Sequence, residues 1–338
     1  MSDEGDTRTA QAVLREANHT HGEQFRLLRR FDDGVQSGAW LLTDDTGRQA
    51  VLKWSPDLSW APQIERAATG VAKIRAAGYP TPAWLAAGTS TDGFGYQIQE
   101  LAPGHTAPQV TAHEARLLIG VLEMHAGLDP DPQRCWSEFV TTRMAGEDLW
   151  RQTAGTGPTG RDLVDACERL LAAHGPVTLP TEDLVHGDFR PGNILFDADR
   201  VSGVIDIEAL GSGTRVFDYA TLLSAHDFTP EALEMLYDAG EQVPGPGVLA
   251  YCFAQVALDL TVFVHRRNLR LGIQNVGKLL ERTLVLLQRA EGRAEALTAA
   301  DTLPWGKTPR SRRRSAAFRG PAGAPSVRDM TVSTWEQP

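Results

Sequence analysis

The stretch that most restricts this chain runs over residues 184–219, LVHGDFRPGNILFDADRVSGVIDIEALGSGTRVFDY. Two short apolar runs, NILF over 193–196 and VIDI over 204–207, flank the polar turn DADRVSG. Runs of this kind, separated by Asp, Ser and Gly, read as the two strands of a hairpin. The chain goes up one strand and down the other, so Asn193, opening the first, and Asp206, late in the second, come to the same end. Directly opposed residues lie roughly 4.5–5.5 Å apart. An amide oxygen and a carboxylate at that spacing can share one Mg²⁺, whose ligands sit at about 2.0–2.1 Å. Asp188 lies on the loop that feeds the hairpin and can face the same space without being a ligand. An Asn and an Asp beside apolar strands are commonly turn or capping residues. The combination of HGDxxxxN, a short hairpin and an acidic residue closing VID favours chemistry.

The 338 residues suffice for one large domain or two lobes, and a 42% hydrophobic content suits a soluble globular chain. No run of about 18 apolar residues stands out, so no membrane span is expected. The acidic start MSDEGDTRTAQ lacks a basic-then-apolar leader, and a cytoplasmic location is the expectation. Cys135, Cys167 and Cys252 are odd in number and scattered, which argues against a disulfide framework or a zinc site. The formal net charge is −10; from Asp301 onward seven basic residues outnumber three acidic ones, so that segment carries +4 and residues 1–300 carry −14. An acidic body repels nucleic acid and favours cationic ligands, although solubility alone also accounts for it.

Residues 1–22 read as a polar N-terminal extension with one candidate helix over 10–17 that need not join a core. A β-rich region follows over 23–101, with strands over 25–31, 39–43 and 49–54, a helix over 61–77, and strands over 84–88 and 93–101. Between the first two strands, DDGVQSGAW carries Gly34 and Gly38 and could lay backbone N–H groups over phosphates, though most such turns are only turns. Lys53 closes the apolar strand VLK and is one of four lysines against 29 arginines. In the helix, Ile64, Ala68, Val71 and Ile74 recur at helical spacing, with Glu65 beside them as its one acidic residue. The break APGH opens a mostly helical region over 102–300. His125, on an apolar helix face, reads as a packed structural histidine without a triad partner, and Asp218 as an N-cap. Asp227, Glu231, Glu234, Asp238 and Asp259 could face a polycation, but for any one of them a solvated face is the better reading. Residues 301–338 form a basic Pro/Gly/Arg-rich tail expected to be disordered, since it has too little apolar area to offset its ordering entropy.

HGDFRPGN and VIDIE together resemble the catalytic and metal-binding segment of the aminoglycoside phosphotransferase family, small-molecule kinases with a protein-kinase-like fold. Protein kinases place Asn five residues after the Asp of His-Arg-Asp and follow with Asp-Phe-Gly. Gly187 in place of that Arg, and Glu208 after Ile207, look like the small-molecule branch. The resemblance implies an α+β, two-lobed protein-kinase-like fold: a small antiparallel sheet with one helix over 23–101, and a larger, mostly helical lobe over 102–300. It implies ATP and Mg²⁺ as cofactors, with Asn193 and Asp206 on the metal and Asp188 as the catalytic residue that takes the acceptor's proton. It further implies Lys53 on the α- and β-phosphates with Glu65 as its helix partner, Ser37 at the tip of a phosphate loop, and the adenine against the main chain from Gln99 to Leu101. Asp218 would brace the catalytic loop. Glu208 would support the site or ligate a second metal. The full GxGxxG of protein kinases is missing.

The expected activity is transfer of the γ-phosphoryl of ATP to a hydroxyl of a small molecule, an aminoglycoside or a similarly cationic antibiotic. Within the same chemistry the acceptor could instead be a metabolite of the choline, homoserine or sugar type. A catalytically inactive nucleotide-binding regulator is the reading from another class, and the complete set of polar groups counts against it. A nucleic-acid binder using the basic tail is opposed by the acidic body.

Overall fold

Apolar residues two apart along three strands set the core of the small lobe. In this computed structural model, which describes residues 3–31, 39–225, 228–266 and 276–301, five strands form one antiparallel sheet. They are β1 (Arg26–Arg30), β2 (Trp40–Thr43), β3 (Gln49–Ser55), β4 (Trp84–Thr89) and β5 (Gly95–Glu100), in the order β1-β2-β3-β5-β4. Successive side chains point to opposite faces. Trp40, Leu42, Ala50, Leu52, Trp54, Tyr96 and Ile98 therefore share one buried face. Lys53, Gln97 and Gln99 fall on the other, and the register pairs Lys53 with Gln97 and Val51 with Gln99.

The apolar face is covered by helix α1 (Asp3–His21). The candidate helix over 10–17, which needed no place in a core, is thus longer than its sequence signal and joins one. Ala10, Val13, Leu14 and Ala17 recur at helical spacing and are all buried in the sheet's core. Gln11, Arg15 and Glu16 between them make the stretch read as polar in the sequence. Polar ties fix its C-terminal end: the Asn18 side chain donates to the Phe25 carbonyl at 2.8 Å and accepts from its N–H at 3.2 Å, and the Thr91 N–H donates to Glu16 at 2.8 Å. Leu14 is 4% exposed. Leu14→Ala is expected to cost about 2–5 kcal/mol of stability, read from urea unfolding, whereas a dispensable appendage would give no measurable change.

Helix α2 (Trp60–Ala76) packs beside β4 and β5 but turns its apolar stripe elsewhere. Ala67, Val71 and Ile74 belong to the core of the large lobe, together with Tyr79, Val185, Ile194 and Leu210. Arg66 donates to Asp131 at 2.6 Å and to the Leu210 carbonyl at 2.8 Å, and Arg134 reaches Gln63 at 2.9 Å.

The large lobe contains two small antiparallel ladders among helices. β6 (Asp183–Val185) pairs with β9 (Gly211–Gly213), and β7 (Ile194–Asp197) with β8 (Arg200–Val204). The helices are α3 (Ala112–Glu123), α4 (Trp136–Ala145), α5 (Glu147–Gly155), α6 (Pro158–His174), α7 (Val216–Ser224), α8 (Pro230–Gln242), α9 (Pro246–Arg266) and α10 (Val276–Asp301). Contrary to expectation, α9 is long and apolar enough by composition to cross a membrane, yet 78% of its apolar window is buried inside the protein. It is a core helix, and it carries a partly buried ion pair: Arg143 on α4 donates to Asp259 at 2.6 and 3.0 Å.

The acidic side chains of the helical lobe are largely answered from within. Arg289 on α10 reaches Glu234 at 2.7 Å, Glu241 at 3.0 Å and also Asp238, while Arg293 binds Glu241 as well. Of the residues considered as a polycation face, Glu234, Asp238 and Asp259 thus already have cationic partners, and Asp227 lies outside the described residues.

Candidate active site

The loop between β6 and the hairpin is held from beneath. Gly187 has φ +87°, and a Cβ there would lie 2.4 Å from the Trp136 ring, so only glycine lets the backbone rest on that indole. Trp136 is itself fixed by its indole N–H on the Ala209 carbonyl at 3.1 Å and by stacking on Phe217. Asp218, fully buried in the first turn of α7, accepts the His186 N–H at 2.7 Å and the Gly187 N–H at 3.0 Å. It is not an N-cap, which Arg215 supplies. Its carboxylate reaches back to the loop, the bracing contact that the family resemblance implies.

Two histidines complete this support. His186 Nε2 lies 2.9 Å from the Ile205 carbonyl, to which it can only donate, leaving Nδ1 to accept the Asp188 N–H at 3.2 Å. His125 does have an acidic neighbour, contrary to expectation: its Nδ1 is 3.3 Å from Asp218 and 3.1 Å from the Leu184 carbonyl. Its Nε2 accepts from the Tyr79 hydroxyl at 2.9 Å. Burial, and then Asp218, push the Tyr79 phenol well above its usual range. His125 and Asp218 are fully buried, so this is a structural chain and not a catalytic triad.

The hairpin departs from expectation at both ends. Asn193 closes a single 3₁₀ turn (Pro191–Asn193) and β7 begins after it, while β8 stops at Val204. The turn itself is tighter than DADRVSG, with Ala198 in the left-handed region at φ 52°. The pairing nevertheless continues, since the Ile205 N–H donates to the Asn193 carbonyl at 2.9 Å. The next residue, Asp206, sits at φ 59°, a conformation that costs a non-glycine residue energy and swings the carboxylate out of the strand direction. The Asn193 amide donates to the Asp188 carboxylate at 3.0 Å and to its carbonyl at 2.9 Å. Asp188 is also 2.8 Å from the Arg190 guanidinium. Burial pushes the Asp188 carboxyl above the ordinary range, with Arg190 and His186 pulling against it without cancelling it.

Lys53 reaches down from β3 to this group. Its Nζ donates to Asp206 and, at 3.1 Å, to Glu208. Burial works against the ammonium, but the two carboxylates outweigh it and hold its pKa above the ordinary lysine value. Asp206 is correspondingly held below the usual range: burial would raise it, and Lys53 prevails. Glu208 is almost fully buried and accepts a further bond from the Gln97 amide at 2.6 Å.

The structure thus gathers Asp188, Asn193, Asp206 and Lys53 at the junction of sheet and helical lobe, and leaves Glu65 out. Glu65 is exposed and accepts from the Thr89 hydroxyl at 2.8 Å, so the expected pairing with Lys53 is replaced by Glu208. The stripe of α2 is turned into the large lobe, and the residue next to it is carried to the outer edge. Gln99 lies buried on the cleft face of β5, Leu101 follows that strand exposed, and Ser37 falls outside the described residues. Arg190 and Gln97 went unnoticed in the sequence. The Arg two positions after Asp188 was available as a signal, whereas Gln97 had none.

Among the described residues no group of three or more His, Cys, Asp or Glu could hold a metal by itself. The Asn193 amide nitrogen is committed to Asp188, so its oxygen is the atom left for a ligand, and the Asp206 side chain is 42% exposed. Both are hard oxygen donors of the kind Mg²⁺ takes alongside water and phosphate.

A five-stranded sheet with its helix, set on a helical lobe with a short hairpin and its Asn and Asp at the junction, defines the two-lobed protein-kinase-like fold. The chain belongs to the phosphotransferase enzyme family (APH), which it matches over residues 28–252. Solved structures share the fold at low identity. A thermostable mutant of aminoglycoside phosphotransferase APH(4)-Ia, in ternary complex with AMP-PNP and hygromycin B, aligns with a TM-score of 0.58 at 19% identity, covering 82% of this chain and 98% of that one. Macrolide 2'-phosphotransferase MphH from Brachybacterium faecium gives 0.52 at 18%, covering 89% and 99%. Amicoumacin kinase hAmiN, in complex with AMP-PNP, Ca²⁺ and Ami, gives 0.51 at 15%, covering 87% and 96%. No curated protein matches the sequence.

Proposed function

We propose that this protein moves the γ-phosphoryl of ATP to a hydroxyl of a small molecule. The observation that carries the reading is the linked set Asp188–Asn193 and Lys53–Asp206, joined across the junction of the lobes. Asn193 and Asp206 would hold Mg²⁺, which when bound neutralises charge on the phosphate oxygens. Lys53 would hold the phosphates that are not transferred, and the main chain from Gln99 to Leu101 the adenine. Asp188 orients the acceptor hydroxyl and takes its proton as that oxygen bonds to the γ-phosphorus and the bond from this phosphorus to the departing ADP breaks. A buried carboxylate with a raised pKa is a better base than an exposed one. Arg190, beside Asp188, adds positive charge where negative charge gathers.

The acceptor is an aminoglycoside or a similarly cationic, hydroxyl-rich antibiotic. The acidic body supports this, as do solved proteins of the same fold that are named for aminoglycoside, macrolide and amicoumacin. A second reading, a metabolite acceptor with little positive charge, draws on one observation: Glu234, Asp238 and Asp259 are already neutralised by Arg289 and Arg143. ADP release with Mg²⁺ and a panel of antibiotics and metabolites separates the two. Turnover with polycations alone supports the first, and turnover with neutral alcohols alone the second. ADP binding without turnover on any acceptor would overturn both in favour of a nucleotide-binding regulator.

A further inference from the structure

Lys53 needs a fixed carboxylate partner if its ammonium is to stay aimed into the cleft, because a lysine side chain is otherwise free over four rotatable bonds. The neighbouring helix supplies none: Glu65 is spent on Thr89 at the exposed edge of β4, and Arg66, next along, turns into the large lobe. Two carboxylates do reach Lys53. Asp206 is the more exposed, at 42% of its side chain, and is one of the two oxygen donors left for a cation. Glu208 is 9% exposed at its side chain and is held by a second bond, from Gln97, which lies directly across from Lys53 in the sheet. The Gln97 side chain is 1% exposed, and its amide is committed to the Glu208 carboxylate. Arg66 also approaches the Glu208 carbonyl at 3.4 Å, tying the backbone of this segment to α2.

We infer that Glu208, locked by Gln97, is the positioning residue for Lys53, and that it is not a ligand of a second metal. It acts through Lys53 on the phosphates, leaving Asp206 free to turn to a cation. The pairing is built between β3, β5 and the segment after β8, so the Lys53 ammonium is aimed without any contribution from an α2 side chain. This rests on the phosphotransfer reading.

Titration calorimetry of the full-length protein with ADP in EDTA isolates the effect, since an anchored lysine acts on phosphates without metal and a metal ligand does not. Glu208→Gln is expected to weaken metal-free ADP binding about tenfold, the scale of one charge-assisted contact. Glu65→Ala is expected to bind as wild type does. Should Glu208→Gln not fold, Gln97→Met, which keeps the carboxylate and removes its lock, is expected to weaken binding about threefold. Unchanged metal-free affinity in Glu208→Gln, with a higher Mg²⁺ requirement in turnover, would make Glu208 a metal ligand and overturn the inference. A loss in Glu65→Ala comparable to that in Glu208→Gln would do the same. Wild-type protein that binds no ADP at all overturns the phosphotransfer reading instead.

Discussion

Asp188→Asn is expected to lower kcat by about two to four orders of magnitude while leaving the KM for ATP within a few-fold of wild type. The substitution is close to isosteric. An Asn at this position can still accept from the Asn193 amide, which now donates to the carboxylate at 3.0 Å, so the loop keeps its shape. It forfeits the ability to take a proton and the charge that faces Arg190. Steady-state ADP release with the best acceptor from the panel measures the effect. If Asp188→Asn turned over at more than a tenth of the wild-type rate, Asp188 would be a positioning group and the base would have to be sought elsewhere.

Asp218→Ala is expected to destabilise the fold by about 3–5 kcal/mol, because it strips the acceptors from buried donors that water cannot reach. The His186 and Gly187 N–H groups lose their partners together, and His125 keeps only the Leu184 carbonyl at Nδ1. Urea unfolding gives the stability change. Activity measured well below the unfolding transition should fall as well, since the released loop carries Asp188. A variant less than 1 kcal/mol below wild type would mean that the β6 ladder and the Trp136 packing hold the loop without this carboxylate.

The geometry of the candidate catalytic segment was legible because it is local. Asp188, Asn193 and Asp206 lie within 19 positions of one another, and a hairpin between them is a short-range decision taken by turn residues and apolar runs. Even there the strand ends were misjudged, because the left-handed turn at Asp206 leaves no mark in hydrophobic pattern. What could not be read were pairings between distant parts of the chain. Lys53 lies 155 positions from Glu208, and the nearer candidate, Glu65, had the right charge on the wrong side of its helix. The same holds for Arg289, which satisfies acids 48 to 55 positions earlier on α8. Helix α1 was underestimated for a different reason. Its buried stripe is narrow and half alanine, so its contribution depends on a sheet face that period-two alternation builds later in the chain.

Helix α2 is bonded on both sides. Glu65 and the close approach of Ala61 to Gly95 fasten it to β4 and β5, while Ala67, Val71, Ile74 and Arg66 root it in the core of the large lobe. A protein cut at residue 101 would therefore leave an apolar stripe bare on one fragment and an open socket on the other. The two lobes are therefore expected to melt in a single cooperative step rather than piece by piece.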